Sequence, residues 1–592
     1  MTQIGDMTPA EAIDTHLDDV DVISFDIFDT LFLRPFTDAE HVFDLVGQRH
    51  GIGDFRAIRQ QAQREAFQEM HRQGRHEIDL ALIYDQMPPA LATLADTLMQ
   101  TEITLEHLAT QPNEPMLAVF RRLVDEGRTV VLTSDMYLRG DFFARLLDDY
   151  DLPRVPVFVS ADYDATKRDH GALFDVVADR TAVSPHRILH VGDNVRADIE
   201  MAQAKGLRTV HYQEAFLPPR LKDINLVESL ARGLSRFGGQ TKGDAYFQLG
   251  YELGGPAALG LLRWIEERAR TEGIEHLLLV SRDGYILNQI IEAATDRFDL
   301  PRISYFRGSR VAFKLAAMNE KNFVSFLPFL LSGSAGLSVD ELFWRIGVPA
   351  PADKVLEDIG LPQTTRVAAT PQQDILRLMM AMRPQILKVA RDCRRGLRLY
   401  LHDLGIKSGD KVGFVDVGWN GTTQEALTEA LTDMMSLDLH GYYLCLSNLP
   451  ECKVRKARAS MSALLDEANL TVAELAKIYD HRVIAEFFFS APHLPVIGYQ
   501  TDTGTRIEFV EDAGRSLDEV DIAARVTSVQ NGMLAFARDF LDQSDRLGLV
   551  ADAEGLCRPL IDFLCAHGPD THSAFSDMKG FDAWGSSRNL SL

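Results

Sequence analysis

The sequence has few cysteines and no basic segment. Its five cysteines all lie in the second half of the 592 residues, with no two spaced as a CxxC pair, which indicates neither a disulfide framework nor a structural zinc site. Lys and Arg total 61 against 86 Asp and Glu, and the formal charge is -25. Because no basic block could follow a phosphate backbone, we expect no nucleic-acid partner.

Long hydrophobic runs are also missing. No stretch reaches the roughly 20 apolar residues that a transmembrane helix needs. Residues 1–19 are acidic and lack the basic start and the apolar middle of a signal peptide. We therefore expect no membrane span and a cytoplasmic location, while the oligomeric state has no signal in the sequence.

Short hydrophobic runs recur in the first part of the chain, each followed by a turn and a helical pattern. They are VISF at 22, TVVLTS at 129, VFVS at 157, ILHVG at 188 and RTVHY at 208. Strands that alternate with helices predict an α/β domain with a parallel sheet, here over residues 1–225. Residues of about 36–125 have helical periodicity only, which predicts a helical cap inserted over the carboxyl ends of the strands.

The second part of the chain predicts another α/β domain with large helical insertions, over residues 246–570. Its strand signals lie in HLLLVSRDGYILNQII (276–291), KVGFVDVGWNGTTQEALTEAL (411–431) and HGYYLCLS (440–447). The segment SRFGGQTKGDA makes residues 226–245 the predicted linker. Residues 571–592 are polar and small, and we expect a loosely ordered tail.

Polar residues follow the predicted strands of the first domain at four places. They are Asp26 and Thr30, Thr133 and Ser134, Lys167, and Asp193 and Asp198. Because the carboxyl ends of parallel strands converge on one crevice, residues far apart in sequence can share a site there. Each residue alone is typical of a helix cap, a turn or a solvated side chain, but the ordered set predicts chemistry.

The residue types in this set predict phosphoryl transfer. Asp26 would attack a phosphorus atom and form an aspartyl phosphate, and Asp193 together with Asp26 would hold a magnesium ion. Lys167 and the Ser134 hydroxyl would neutralise and hydrogen-bond the phosphoryl oxygens. Asp198 would orient the metal ligands or the lysine.

Four segments, in this order, resemble the motifs of the haloacid dehalogenase superfamily of hydrolases. They are FDIFDTL, LTSDMYL, TKRDHGALF and HVGDNVRAD, with a helical insertion after the first, and they lie within residues 20–215. The resemblance implies a Rossmann-like core with a cap and a reaction through an aspartyl intermediate on Asp26. It gives the supporting roles to Ser134, Lys167 and Asp193, with magnesium as the cofactor.

The predicted site is completed by residues close to these in sequence. Those assigned to catalysis are Asp29 and Thr30, those assigned to substrate binding are Thr133, Asp135 and Asn194, and those assigned to the metal beside Asp26 and Asp193 are Phe28 and Asp198. The predicted substrate is a small phosphorylated metabolite or sugar.

One position departs from the pattern of the phosphatases in this superfamily. Most of them carry a second Asp two residues after the nucleophile as a general acid, and this chain has Phe28 there. Asp29, Asp135 or a cap residue could supply the proton, or the leaving group could need none. A dehalogenase-like reaction and a binding domain with little turnover are the alternatives. The carboxylate of Asp193 favours phosphoryl chemistry, since dehalogenation needs no magnesium.

Two turns in the second domain could hold an anion. Asn420, Gly421, Thr422 and Thr423 begin a helix after a strand, where backbone N–H groups could bind a phosphate or a nucleotide-sugar diphosphate. Arg282 and Asp283 follow another strand. A structural turn is the favoured interpretation of both segments.

Three more residues of the second domain have two interpretations. Glu486 and His493 could join the same crevice, or be a helix-end acid and a loop histidine, which is favoured; Trp419 could stack on a ligand, although packing is commoner. The two turn segments resemble those of large bacterial proteins that fuse a haloacid-dehalogenase-like domain to a second α/β domain in surface-polysaccharide settings. This resemblance implies the alternative of a sugar-nucleotide-binding or transferase protein of glycan assembly, with a weak hydrolase domain.

Overall fold

The structure, a computed structural model, describes most of the chain. The described residues are 7–213, 224–238, 243–362, 365–502, 506–512, 520–566 and 575. Two compact units divide the chain: Met1–Thr241 with Phe540–Val550, and Lys242–Asp539 with Ala551–Leu592. The predicted tail lies outside the described residues apart from Phe575, and the predicted domain limits stay predictions.

The first unit is built on a parallel five-stranded sheet. Its strands, including one short pair outside that sheet, are β1 (Val22–Phe25), β2 (Phe32–Leu33), β3 (Gln111–Pro112), β4 (Thr129–Ser134), β5 (Val157–Val159), β6 (Ile188–Gly192) and β7 (Arg208–His211). The order is β5-β4-β1-β6-β7, with all four pairings parallel. All four residues of β1 are buried, as expected for a central strand covered on both faces. The predicted α/β class is confirmed.

The strand order fixes where a site can form. The chain passes from β1 to β4 and β5 on one side, and then returns to place β6 on the other side of β1. A crevice opens at such a reversal, outside the carboxyl ends of the two central strands. Asp26 follows β1 and Asp193 follows β6, so both residues lie at this reversal.

Helices surround this sheet and form the insertion after β1. They are α1 (Pro9–Asp14), α2 (His41–His50), α3 (Phe55–Arg72), α4 (Leu80–Tyr84), α5 (Ala95–Ala109), α6 (Glu114–Asp125), α7 (Gly140–Asp149), α8 (Ser160–Tyr163), α9 (Ala172–Thr181), α10 (Met201–Ala204), α11 (Leu226–Gly233) and α12 (Ser235–Gly238). The strands β2 and β3 pair antiparallel and bring the two ends of the insertion together, with α2 to α5 between them. Two of the helices, α11 and α12, lie within the stretch predicted as a linker.

A buried ion pair holds the inserted helices to one another. The guanidinium of Arg59 on α3 donates to both carboxylate oxygens of Glu102 on α5, at 2.7 and 2.8 Å. The Tyr84 hydroxyl on α4 donates to the same carboxylate at 2.7 Å. Both charged side chains are fully buried, and the bidentate pairing offsets the cost of removing them from water.

The second unit contains another parallel five-stranded sheet. Its strands are β8 (His276–Val280), β9 (Arg302–Phe306), β10 (Lys411–Asp416), β11 (Asp438–Cys445) and β12 (Ser460–Leu465), followed by the hairpin strands β13 (Val496–Asp502) and β14 (Arg506–Glu511). The sheet order is β12-β11-β10-β8-β9, again all parallel, and the hairpin is antiparallel. The second predicted α/β unit is confirmed.

Along β8, successive apolar side chains point alternately into two hydrophobic cores, one on each face of the second sheet. Leu277 and Leu279 belong to the core on one face, and Leu278 and Val280 to the core on the other. This is the alternation of side chains along a strand, and it explains why β8 is a continuous apolar run. The helices of this part of the chain are α13 (Ala245–Leu249), α14 (Gly255–Glu272), α15 (Gly284–Ala293), α16 (Arg310–Ala317), α17 (Phe323–Leu331), α18 (Val339–Ile346), α19 (Asp353–Ile359), α20 (Gln372–Ala381), α21 (Arg383–Asp403), α22 (Thr422–Leu431), α23 (Pro450–Lys456), α24 (Val472–Asp480), α25 (Arg482–Phe488), α26 (Val520–Leu547) and α27 (Ala553–Cys565). The residues of α26 from Phe540 onward belong to the first unit.

The described part of the chain contains helices of up to 28 residues. None of its helices combines the length and the apolar character that crossing a membrane requires.

Candidate active site

A buried lysine stands at the centre of the crevice in the first unit. The Lys167 ammonium donates to Asp26 Oδ1 and to Asp198 Oδ1, each at 2.6 Å, and to the Thr133 carbonyl at 3.2 Å. Lys167 is only 2% exposed. Burial acts to lower the pKa of Lys167, but the charges of Asp198 and Asp26 outweigh it, and the pKa is raised. The lysine is therefore a fixed positive charge.

Three carboxylates meet beside this lysine. Asp26, Asp193 and Asp198 each offer an oxygen, and these oxygens lie within 4.8 Å of one another. The Asp26 backbone N–H donates to the Val191 carbonyl at 2.8 Å, so the pairing of β1 with β6 extends one residue to Asp26. Backbone pairing at the end of the central strands therefore positions the first carboxylate.

Asp198 is held by donors on both oxygens. His190 Nε2 lies 3.1 Å from Oδ1, and the Asn194 backbone N–H donates to Oδ2 at 2.9 Å. The turn depends on Gly192, because a Cβ there would lie 2.5 Å from the Asp198 carboxyl carbon. With Lys167 on the same carboxylate, Asp198 anchors the ammonium group in front of Asp26.

The negative charge of the cluster favours the binding of another cation. Burial raises the pKa of Asp26 well above its ordinary value, although Lys167 opposes this shift. Burial, together with the charges of Asp29 and Asp198, raises the pKa of Asp193 to about 7. For Asp198 burial acts upward, but Lys167 and His190 lower its pKa. The single charge of Lys167 thus faces three carboxylates. Carboxylate oxygens are also the ligands that magnesium prefers.

Comparison with family models assigns this part of the chain. Residues 20–206 match the model described as haloacid dehalogenase-like hydrolase. Residues 20–206 of the first unit are therefore a haloacid dehalogenase-like (HAD-like) hydrolase domain. The family assignment made from the sequence motifs is confirmed.

Solved structures of the same superfamily align with about a third of the chain. The L-2-haloacid dehalogenase of Xanthobacter autotrophicus has 18% identity and a TM-score of 0.25, covering 33% of this chain and 80% of its own. A HAD family enzyme of Bacteroides thetaiotaomicron, in complex with magnesium and inorganic phosphate, has 14% identity and a TM-score of 0.24, covering 33% and 94%. The 2-haloacid dehalogenase of Pseudomonas syringae pv. Tomato has 18% identity and a TM-score of 0.25, covering 37% and 99%. The search of curated proteins gives no match.

A chain of buried polar groups lies behind the carboxylates of the HAD-like domain. The Thr133 hydroxyl lies 2.8 Å from the Ser24 hydroxyl, which in turn lies 2.8 Å from His190 Nδ1. Thr133, predicted to bind substrate, thus directs its hydroxyl into the sheet. Sequence reasoning missed Ser24 and His190, although both are polar residues within apolar strands and stand opposite each other in register.

Two further residues predicted to bind substrate are engaged by backbone groups. Asp135 accepts from the backbone N–H groups of Lys167 and Arg168, at 2.7 and 2.9 Å, and so fixes the loop that carries the lysine. Asn194 Oδ1 accepts from the N–H groups of Arg196 and Ala197, at 3.1 and 2.9 Å, which caps the turn leading to Asp198. Ser134, at the end of β4, is 3% exposed.

The residue at the missing acid position packs against an aromatic ring and a cation. The Phe28 ring centroid lies 5.7 Å from that of Phe143, edge to face, and 3.9 Å from the guanidinium carbon of Arg34. Arg34 also forms an ion pair with Glu106 at 2.9 Å. A phenyl ring has no ligand atom, so Phe28 could contribute to the predicted metal set only through its backbone carbonyl.

The two residues after Phe28 have internal partners. Asp29 has a φ of 56°, and its Oδ1 accepts from Arg236 on α12 at 2.9 Å. Thr30 is fully buried, and its carbonyl accepts from Asn113 Nδ2 at 2.6 Å. Asp29 is therefore tied to a cation outside the Lys167 cluster.

The second unit also has a crevice, and several of the residues noted in the sequence line it. Arg282, Asp283, Asn420, Thr422, Thr423, Trp419 and Glu486 all face one cavity of about 370 Å³. The Trp419 indole N–H donates to Glu486 Oε1 at 2.9 Å. His493 does not line this cavity, and its Nε2 lies 2.6 Å from the Tyr305 hydroxyl.

Proposed function

We propose that the HAD-like domain is a magnesium-dependent phosphohydrolase that acts on a small phosphorylated metabolite or sugar. One observation supports this most directly: Lys167 bridges Asp26 and Asp198 at 2.6 Å each, and Asp193 completes a cluster of three carboxylates beside it. A fixed ammonium group beside a carboxylate suits the attack of that carboxylate on a phosphate.

The reaction uses Asp26 as the nucleophile. An oxygen of its carboxylate forms a bond to phosphorus, the bond from phosphorus to the leaving oxygen breaks, and the leaving oxygen keeps the electron pair. Water then cleaves the aspartyl phosphate, which releases inorganic phosphate and regenerates Asp26. Because its pKa is raised, Lys167 keeps its proton and balances charge on the phosphoryl oxygens throughout.

Asp26 and Asp193 are the residues that would hold magnesium. Asp198 already accepts from Lys167, His190 and a backbone N–H, so its role is to position the lysine. A bound magnesium ion would supply positive charge to the phosphoryl oxygens. It would also favour the ionised form of Asp193, whose pKa of about 7 reflects burial and neighbouring negative charge.

The environment of Phe28 restricts the leaving group. Its side chain can donate no proton, and Asp29, the nearest carboxylate in sequence, is paired with Arg236. Loss of a positioned general acid costs on the order of 100-fold to 10,000-fold in rate. We therefore expect the domain to prefer phosphates whose leaving group departs as a stable anion.

The test measures phosphate release by the full-length chain with magnesium and with chelator. The substrates are p-nitrophenyl phosphate, whose leaving group needs no proton, and a panel of sugar phosphates. Asp26→Asn should lower the rate about 1,000-fold or more. The matched control is Asp175→Asn, which changes a half-exposed carboxylate paired with Lys205 and should leave the rate unchanged.

Two results would overturn this proposal. One is turnover that is indifferent to both the chelator and Asp26→Asn. The other is halide release from 2-chloropropionate that depends on Asp26 but not on magnesium, which would indicate the dehalogenase-like reaction instead.

A further inference from the structure

The crevice of the second unit lies where its strand order reverses. The chain passes from β8 to β9 on one side and returns to place β10 on the other side of β8. Asp283 follows β8 by three residues, and Asp416 is the last residue of β10. The cavity of about 370 Å³ opens at this reversal, which is where ligands bind in open α/β sheets. Its volume lies in the range of small-molecule sites.

Two carboxyl groups form the floor of this cavity. Burial and the neighbouring charge of Asp416 raise the pKa of Asp283, so the two carboxyl groups lie close enough to interact, and Asp416 is 6% exposed. The Val417 N–H donates to Asp283 Oδ2 at 3.3 Å, and the Gly418 N–H lies 3.4 Å from Asp416 Oδ1. Two carboxylates in contact share one proton, so the pair can both donate and accept a hydrogen bond.

Arginines line the walls of the same cavity. Arg282, Arg310 and Arg482 all line it; Arg282 lies in the turn after β8, and the other two begin α16 and α25. Arg482 is held in place, since it donates to the Tyr479 carbonyl at 2.8 Å and its guanidinium carbon lies 4.5 Å from the Tyr479 ring centroid. Planar guanidinium groups are the side chains that recognise phosphate by paired hydrogen bonds.

The charges of the lining favour an anion. Three guanidinium groups face the carboxylate of Glu486 and the Asp283–Asp416 pair, which carries one charge when it shares a proton. The lining therefore concentrates three fixed positive charges in a chain whose total charge is -25, which suits an anionic ligand. The aromatic side chains of Trp419 and Tyr479 complete the lining beside these polar groups.

We propose that this crevice is a second ligand site, which binds a phosphorylated sugar. Arg282, Arg310 and Arg482 would bind the phosphate, and the Asp283–Asp416 pair would hydrogen-bond the sugar hydroxyls. Sugar hydroxyls both donate and accept, which matches a pair of carboxyl groups that holds one proton. The ring of Trp419 offers an apolar face for the sugar. This site is independent of Asp26 and needs no magnesium.

The test is titration calorimetry of the full-length chain with glucose 1-phosphate in the presence of chelator. We expect one saturable site that Asp26→Asn leaves unchanged and that Arg282→Gln and Arg310→Gln each weaken at least 10-fold. Arg538→Gln, which changes an exposed arginine of the same unit, should have no effect. Inorganic phosphate should bind more weakly than the sugar phosphate, and Asp416→Asn should reduce that difference.

A second measurement does not depend on the arginine variants folding. Glucose 1-phosphate should change the tryptophan fluorescence of the native chain, and this change should be lost in Trp419→Phe. UDP-glucose in a parallel titration distinguishes a nucleotide-linked sugar phosphate from a free one. The proposal is overturned if no binding occurs, or if binding is lost in Asp26→Asn and unaffected by Arg282→Gln and Arg310→Gln.

Discussion

In both crevices of this chain, acidic residues lie at the ends of the two strands where the strand order reverses. The two crevices differ in the cations that neutralise these acids. In the HAD-like domain, Lys167 lies between Asp26 and Asp198 and holds both at 2.6 Å. In the second unit, Asp283 and Asp416 contact each other directly. The first arrangement sets a fixed positive charge between two of its carboxylates, whereas in the second burial raises the pKa of both carboxyl groups. The topology thus sets where the acidic residues lie, and the two crevices differ in the cation placed beside them.

The two crevices differ because their cations are different residues from different parts of the chain. Lys167 comes from the loop between α8 and α9, and Asp135 fixes that loop by accepting hydrogen bonds from its backbone N–H groups. Among the described residues that line the second crevice there is no lysine, and its cations are arginines on the walls. A lysine concentrates its charge at one point between two carboxylates, whereas a guanidinium presents a planar fork to a ligand. The first crevice therefore suits attack on a phosphate and the second suits binding of one.

Of the changes that test this difference between the crevices, removal of Lys167 should have the largest effect on the rate of phosphate release. Lys167→Met would leave Asp26 and Asp198 without their shared cation, and phosphate release from p-nitrophenyl phosphate should fall about 100-fold to 1,000-fold. The matched control, Lys205→Met, removes a partly exposed lysine of the same domain that pairs with Asp175. A rate within twofold of the wild type in a folded Lys167→Met protein would contradict the role of this charge.

A smaller effect is expected on the magnesium dependence of activity, which should change with the first crevice and not with the second. Asp193→Asn removes a carboxylate of the first cluster, and the magnesium concentration for half-maximal activity should rise at least about 10-fold. Asp416→Asn changes a carboxyl group in the second crevice and should leave this concentration unaltered. The measurement is a magnesium titration of phosphate release. An equal shift in both variants would mean that the effect is not specific to the first cluster.

The central strands could be predicted from sequence because both of their faces are buried. β1, β4 and β6 begin and end where their apolar runs do, and β8 and β10 were also predicted. The edge strands β9 and β12 were missed, because partly exposed residues interrupt their hydrophobic pattern. Edge position alone does not decide this, since the edge strands β5 and β7 of the first sheet were predicted from their short apolar runs.

Those parts of the site whose positions follow from the order of the strands could be predicted from sequence. Asp26, Lys167 and Asp198 were expected together at the strand ends, and the structure brings them together. The partners of Thr133 and Asn194 were not predictable, because they depend on strand register and on the turn geometry after β6. The roles proposed for all these residues stay predictions until the variants are measured.

The smallest effect should appear as a change in stability with pH. Burial raises the pKa of Asp283 well above its usual range, Asp416 raises it further, and Arg282 and the Val417 N–H oppose the shift. Tyr305 also faces Asp283, and Glu486 acts on Asp416. A carboxyl group whose pKa rises on folding stabilises the protein below its unfolded pKa, and that contribution is lost as the pH rises through the folded pKa.

Asn at position 283 has no proton to lose, so the variant should escape this penalty. Asp283→Asn should unfold at nearly the wild-type temperature at pH 4 and at a higher temperature at pH 8, where the gain is on the order of 1 kcal/mol. Thermal melting of the full chain across this pH range measures the difference, with Asp392→Asn as the control because that carboxylate is half exposed. A gain that is the same at both pH values would show that the two carboxyl groups do not share a proton, and the contrast with the lysine-centred crevice would then fail.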